Sequence, residues 1–218
     1  STPQPPLIYV SGNWYDHEKA IAIAKFAGSH PSSNILLTGG IGRLTLPHVA
    51  AAGGEPLALR MLLIEKYGID SQRILLYSGS SVTTHNVRAL VFYLEQRQDL
   101  GLPACDVVVF EEGFLLRRLR ATIVAELETA LATKRLASVG TVSFQRGRDC
   151  TYQELVARHP FHPNAVPFLL AGEYKRLLSY SRENDDEEKE EKEEKDSNDT
   201  SRKSGVSTQR APRLFSRL

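Results

Sequence analysis

Four short apolar runs, 7–10 (LIYV), 35–38 (ILLT), 73–77 (RILLY) and 106–110 (DVVVF), are separated by longer stretches whose apolar residues recur at helical spacing. Those stretches cover 18–27, 56–67 and 84–97, and a further one at 114–131 comes after the fourth run. Strand and helix thus alternate four times, and 138–145 reads as a fifth strand. Such near-continuous apolar runs suit strands covered on both faces, the condition of a parallel sheet between two helical layers. Right-handed crossovers leave few ways to connect such a string. The expected fold is α/β: a Rossmann-like, doubly wound, mainly parallel sheet of about five strands with helices on both faces. Local signals agree. Pro56 suits a first helical turn, Gly68 a C-terminal stop, and Thr83 or Thr84 an N-cap for the third helix.

Composition is most informative in the C-terminal part of the chain. Of 218 residues, 41% are hydrophobic, enough for one ordinary core. The net charge of +1 hides an uneven distribution: 181–201 carries 11 acids and 4 bases, whereas 202–218 carries 5 bases and no acid. Residues 1–180 are therefore expected to form the domain, and 181–218 a charged, disordered tail that cannot bury enough apolar surface to offset chain entropy. Between sheet and tail, 152–157 and 164–180 read as helices around a proline-containing loop at 159–163. The body keeps only +3, too little for a dense nucleic-acid-binding face. Cys105 and Cys150 share no metal-ligand spacing. No apolar run approaches membrane-spanning length, and 1–6 lacks signal-peptide features, so a cytoplasmic protein without a membrane partner is expected.

Ligands of open α/β sheets sit outside the carboxyl ends of the strands. Here the four strand exits carry Ser11-Gly12-Asn13, Gly39-Gly40-Ile41-Gly42, Ser78-Gly79-Ser80-Ser81 and Glu111-Glu112-Gly113. Glycine in such a turn permits close backbone approach, either to a ligand or to a neighbouring loop. Position 44 is Leu, so no GxGxxG fingerprint starts at Gly39, and neither a Walker A motif nor a GxSxG elbow is present. A connection at 43–54 leads to Glu55 at the head of the second helix. There a carboxylate either complements the helix dipole, worth about 0.3–1 kcal/mol, or acts as a base or hydrogen-bond acceptor. Arg117 and Arg118 oppose the dipole one turn into the fourth helix, where an anionic ligand or Glu111/Glu112 would explain them. His17, His30, His48, His159 and His162 read as ordinary histidines. His85 differs only in lying at the third loop-to-helix junction.

In these loops the chain resembles the ElyC/SanA/YdcF family, and within it the soluble YdcF branch. The resemblance spans most of 7–178. It rests on Ser11-Gly12-Asn13, Leu37-Thr38-Gly39-Gly40-Ile41-Gly42, Gly54-Glu55, Tyr67-Gly68-Ile69, Arg73-Ile74, the stretch 80–86 and Arg117-Arg118. Glu55 falls where the family has its acidic residue, and Asn86 ends the family's S-x-N-T-x-E-N-like stretch. Val82 and His85 replace the internal Asn and Glu of that stretch. The resemblance implies a Rossmann-like fold, a cleft at the strand ends, and a nucleotide-like ligand such as S-adenosylmethionine, without naming a reaction.

The leading expectation is a small-molecule binding protein or enzyme. Its cleft would use Gly12, Asn13, Gly39, Gly40, Gly42, Ser80, Ser81, Asn86, Glu112, Arg117 and Arg118, with Glu55 as the candidate catalytic group. One rival is a non-catalytic module presenting the charged tail to a protein partner. Another is a hydrolase or transferase acting on phosphate or glycan groups, for which the sequence offers no evident nucleophile or metal cluster.

Overall fold

The computed structural model describes residues 4–12, 17–41, 45, 47–80, 82–111 and 113–146. All belong to the first of the two compact units into which the chain divides, Ser1–Tyr174. The helices read at 152–157 and 164–180 and the tail at 181–218 lie outside the described residues. The elements run β1 (Leu7–Gly12), α1 (His17–Ser29), β2 (Ile35–Gly39), α2 (Pro47–Ala51), α3 (Glu55–Glu65), β3 (Ile74–Ser78), α4 (Thr83–Asp99), β4 (Val107–Glu111), α5 (Gly113–Ala132) and β5 (Val142–Arg146). The described strands form one sheet in the order β3-β2-β1-β4-β5, with every neighbouring pair parallel. This is the doubly wound α/β arrangement. The chain leaves β1 toward β2 and β3, then returns across the sheet to β4, so the order reverses between β1 and β4.

Period-two alternation sorts the strand residues into two cores. Leu7, Tyr9, Leu36, Val107 and Val109 pack with Val87, Leu90 and Leu94 of α4 and Leu119, Ile123 and Leu127 of α5. Ile8, Val10, Ile35, Leu37, Val108 and Phe110 pack on the other face with Ala20, Ile23 and Ala27 of α1 and Leu59 and Leu63 of α3. Helix ends follow the chemistry of their residues. Pro56 lies in the first turn of α3. Beyond its last turn Gly68 adopts φ 65°, and the N–H groups of Gly68 and Ile69 return to the carbonyls of Ile64 and Leu63, a glycine-terminated helix end. The N-cap of α4 is Val82, not Thr83 or Thr84, and no side chain caps it directly. Ser80 Oγ instead accepts a hydrogen bond from the Val82 N–H at 3.0 Å.

The glycines at the strand exits have a structural task. A Cβ on Gly12 would strike the Thr38 carbonyl oxygen, and one on Gly39, at φ 144°, would lie 2.5 Å from the Gly12 carbonyl oxygen. Gly40 packs against the Ser80 backbone, and Gly54 against Gly40. The missing side chains let the exits of β1, β2 and β3 and the head of α3 close on one another. Gly39→Ala is expected to cost more than about 2 kcal/mol in urea unfolding, because backbone lies on the crowded side and φ is unfavourable. Gly28→Ala, in an exposed turn of α1 with open space at the Cβ position, should instead stabilise by about 0.5–1 kcal/mol.

Candidate functional site

α1 presents its apolar stripe, Ala20, Ile23 and Ala27, to the sheet. Lys19 shares that side one turn before Ile23, so its long stem is carried under the strand ends. Its Nζ donates to the Ser11 carbonyl at 3.0 Å and to Glu111 Oε1 at 2.9 Å. Both side chains are almost fully buried. One lysine thereby ties α1 to the last turns of β1 and β4, the two strands between which the sheet reverses direction. Glu111, which the sequence offers as a partner for Arg117 or Arg118, is the acid of this pair.

Glu55 opens α3 and is 93% shielded from solvent, with a relative exposure of 7%. Thr45 Oγ1 donates to its Oε1 at 3.1 Å. Burial raises its carboxyl from 4.5 to about 7, while the Thr45 hydrogen bond and the Lys19 charge pull it down and Glu111 pushes it up. Desolvation therefore wins over the nearby cation. A carboxyl at the head of α3 with this burial is a weaker dipole complement than a hydrated one, because its ionised form is disfavoured. On the opposite sheet face, Thr38 Oγ1 donates to the Tyr9 hydroxyl at 3.2 Å and lies 3.3 Å from the Val10 carbonyl. Burial pushes the Tyr9 phenol far above its usual range, with the Glu111 charge adding to the effect, so Tyr9 stays neutral.

The contacts of Gly40 with Ser80 and of Gly54 with Gly40 bring the head of α3 and the exits of β2 and β3 together. Ser80 is half-buried there, and its Oγ lies 3.2 Å from His85 Nδ1. The exposed apolar side chains of Ile41 and Val82 stand on the two exit loops flanking this junction. Asn86, in the first turn of α4, is fully buried, and neither its amide nitrogen nor its amide oxygen has a hydrogen-bond partner. Its neighbours Val87 and Leu90 pack in the core that holds Tyr9.

The structure thus gathers Gly12, Gly39, Gly40, Glu55 and Ser80 at one edge, with Asn86 in the helical turn beginning there. Arg117 is exposed and Arg118 half-buried in α5. Asn13, Gly42, Ser81 and Glu112 lie outside the described residues. Sequence reasoning missed Lys19, although a lysine in register with Ala20, Ile23 and Ala27 is a legible signal of a buried cation. It also missed the Ser80–His85 contact. Among the described residues no cluster of His, Cys, Asp or Glu could hold a metal ion, and no helix is long and apolar enough to cross a membrane. No protein-family model and no curated protein matches the chain.

A carboxyl raised from 4.5 to about 7 binds a proton in the folded chain over a range where the unfolded chain has released it. Its contribution to stability is fully present below the unfolded value and is lost as pH rises through the folded one. Glu55→Gln keeps an acceptor for Thr45 and removes the titration. The stability of the variant relative to the wild type should therefore rise between about pH 4.5 and 7 and level off above, as read by urea unfolding across that range. A pH-independent difference contradicts the raised carboxyl.

Proposed function

We propose that this chain is a small-molecule binding protein or enzyme of the ElyC/SanA/YdcF type, with its ligand outside the carboxyl ends of β1, β2 and β3. The observation that carries the reading is the placement of Glu55. A buried carboxyl titrating near neutrality stands beside a buried Lys19–Glu111 pair at the reversal point of the sheet. Burying three ionisable groups on one edge is costly for folding alone, and such perturbed groups cluster at functional sites. The position is also where doubly wound sheets hold ligands.

In this reading Glu55 accepts a proton or hydrogen bonds from the ligand. Ser80 and Asn86 orient its polar atoms, and Asn86 has the more specific role, since its buried carboxamide offers a donor and an acceptor side by side. Ile41 and Val82 provide apolar contact for a flat or hydrophobic portion. Arg117 or Arg118 takes an anionic group. Gly12, Gly39 and Gly40 shape the edge more than they cradle the ligand, because their missing side chains face neighbouring backbone. A nucleotide-like molecule such as S-adenosylmethionine, with polar, charged and flat parts, suits this set. A cytoplasmic setting belongs to the same reading and is favoured by the low cysteine content.

The test is a thermal-shift panel of metabolites that includes S-adenosylmethionine and nucleotides, each at about 1 mM and at pH 6 and 8. A ligand at 100 times its Kd stabilises by about 2.7 kcal/mol, a readily visible shift. At least one member should stabilise the protein, with affinity that differs between the two pH values and falls at least about tenfold in Glu55→Gln, the loss of one charge-assisted contact. A panel without any stabilising member contradicts the reading. Equal binding by the variant removes Glu55 from it.

A further inference from the structure

The turn from β3 into α4 carries Ser80, which the proposed ligand site shares, and His85, which it does not use. β3 ends at Ser78, Gly79 follows at φ 141°, and α4 begins at Thr83. The N–H groups of Gly79 and Ser80 both donate to the Gly39 carbonyl, at 3.0 and 3.3 Å, so the turn is pinned to the exit of β2. On this fixed backbone Ser80 Oγ accepts the Val82 N–H at 3.0 Å and stands 3.2 Å from His85 Nδ1. A hydroxyl has one proton and two acceptor sites. The Val82 N–H occupies one site, and an unprotonated Nδ1 takes the proton. The second lone pair is then available to an electrophile.

A serine and a histidine at this spacing could simply brace the turn. Three features ask for more. The pair lies at the carboxyl end of a parallel strand, on a strand-turn-helix connection, where catalytic groups of α/β sheets are placed. His85 is exposed and Ser80 half-buried, so a small substrate can reach both. Asn86, one residue on, is a fully buried amide without a hydrogen-bond partner, an unsatisfied polar group in the same helical turn and independent of the Ser80–His85 contact.

We propose that Ser80 and His85 form a nucleophile and general-base pair for acyl transfer from small carboxylic esters. As Ser80 Oγ bonds to the ester carbonyl carbon, its proton passes to His85 Nδ1. The tetrahedral adduct collapses with cleavage of the ester C–O bond, and the Nδ1 proton goes to the departing alkoxide. Water then attacks the acyl-serine, giving its proton to Nδ1, and the carboxylic acid leaves as Ser80 regains its proton. No oxidant, reductant or metal enters the balance. The proposal goes beyond the Glu55 reading and does not depend on it.

The direct test treats the full chain with diisopropyl fluorophosphate and locates the adduct by peptide mass spectrometry. Attack by Ser80 Oγ forms the O–P bond, breaks P–F and releases fluoride, with the proton taken by His85. The expected result is an adduct at Ser80 that forms at least about 10²-fold more slowly in His85→Ala, with p-nitrophenyl acetate hydrolysis lost as the adduct accumulates. Absence of an adduct at Ser80, or equal rates in wild type and His85→Ala, overturns the proposal. Metabolite stabilisation measured on the same unlabelled protein reports separately on the Glu55 reading, so either can fail without the other.

Discussion

The Lys19–Glu111 ion pair is the interaction on which the architecture of this edge depends. Lys19 starts from α1, reaches the Ser11 carbonyl at the end of β1 and meets the Glu111 carboxylate at the end of β4. No apolar contact could link those three elements and also satisfy a strand carbonyl. A buried ion pair is not a strong net stabiliser, since desolvation offsets most of the attraction. Removing one partner is nevertheless expensive, because the other charge is left in a medium that solvates it poorly. The pair therefore fixes how α1 meets β1 and β4 at the point where the sheet reverses.

The chemistry at the edge depends on that arrangement. Glu55 is close enough to feel both charges, which act on it in opposite directions, so burial decides its behaviour. Glycine contacts then determine which loops can share the space. Gly12 lies against Thr38, Gly39 against Gly12, Gly40 against Ser80 and Gly54 against Gly40. This continuous line of backbone contacts places the α3 head with Glu55 and the β3 exit with Ser80 on either side of Gly40. Two chemically different groups, a titratable acid and a hydroxyl–imidazole pair, are thereby brought to one edge.

Much of the fold was legible because its signals are local. Apolar runs and helical periodicity identify all five described strands and the four longer helices. The strand exits extend farther than hydrophobicity alone indicates, since Gly12, Gly39, Ser78 and Glu111 continue the ladder without being apolar. α2 has only five residues, too few to show a helical period, and reads as part of a connection. Glu55 was identifiable by position, but its burial and its hydrogen bond from Thr45 are tertiary properties that position alone does not show. The Ser80–His85 contact depends on a turn whose backbone Gly79 sets, which residue spacing does not reveal. Gly12, Gly39 and Gly40 were recognisable as important, yet sequence could not show that their missing side chains face neighbouring backbone.

The central claim, that Lys19 and Glu111 are held as a mutually dependent buried pair, is tested most directly by comparing unfolding free energies of Lys19→Met, Glu111→Gln and the double variant in urea. Lys19→Met alone should cost about 3–5 kcal/mol, the typical penalty for orphaning a buried charge. Adding Glu111→Gln should recover a substantial part of that loss, giving a coupling energy above about 1 kcal/mol between the two sites. Strictly additive losses, or a Lys19→Met protein as stable as the wild type, would contradict the account.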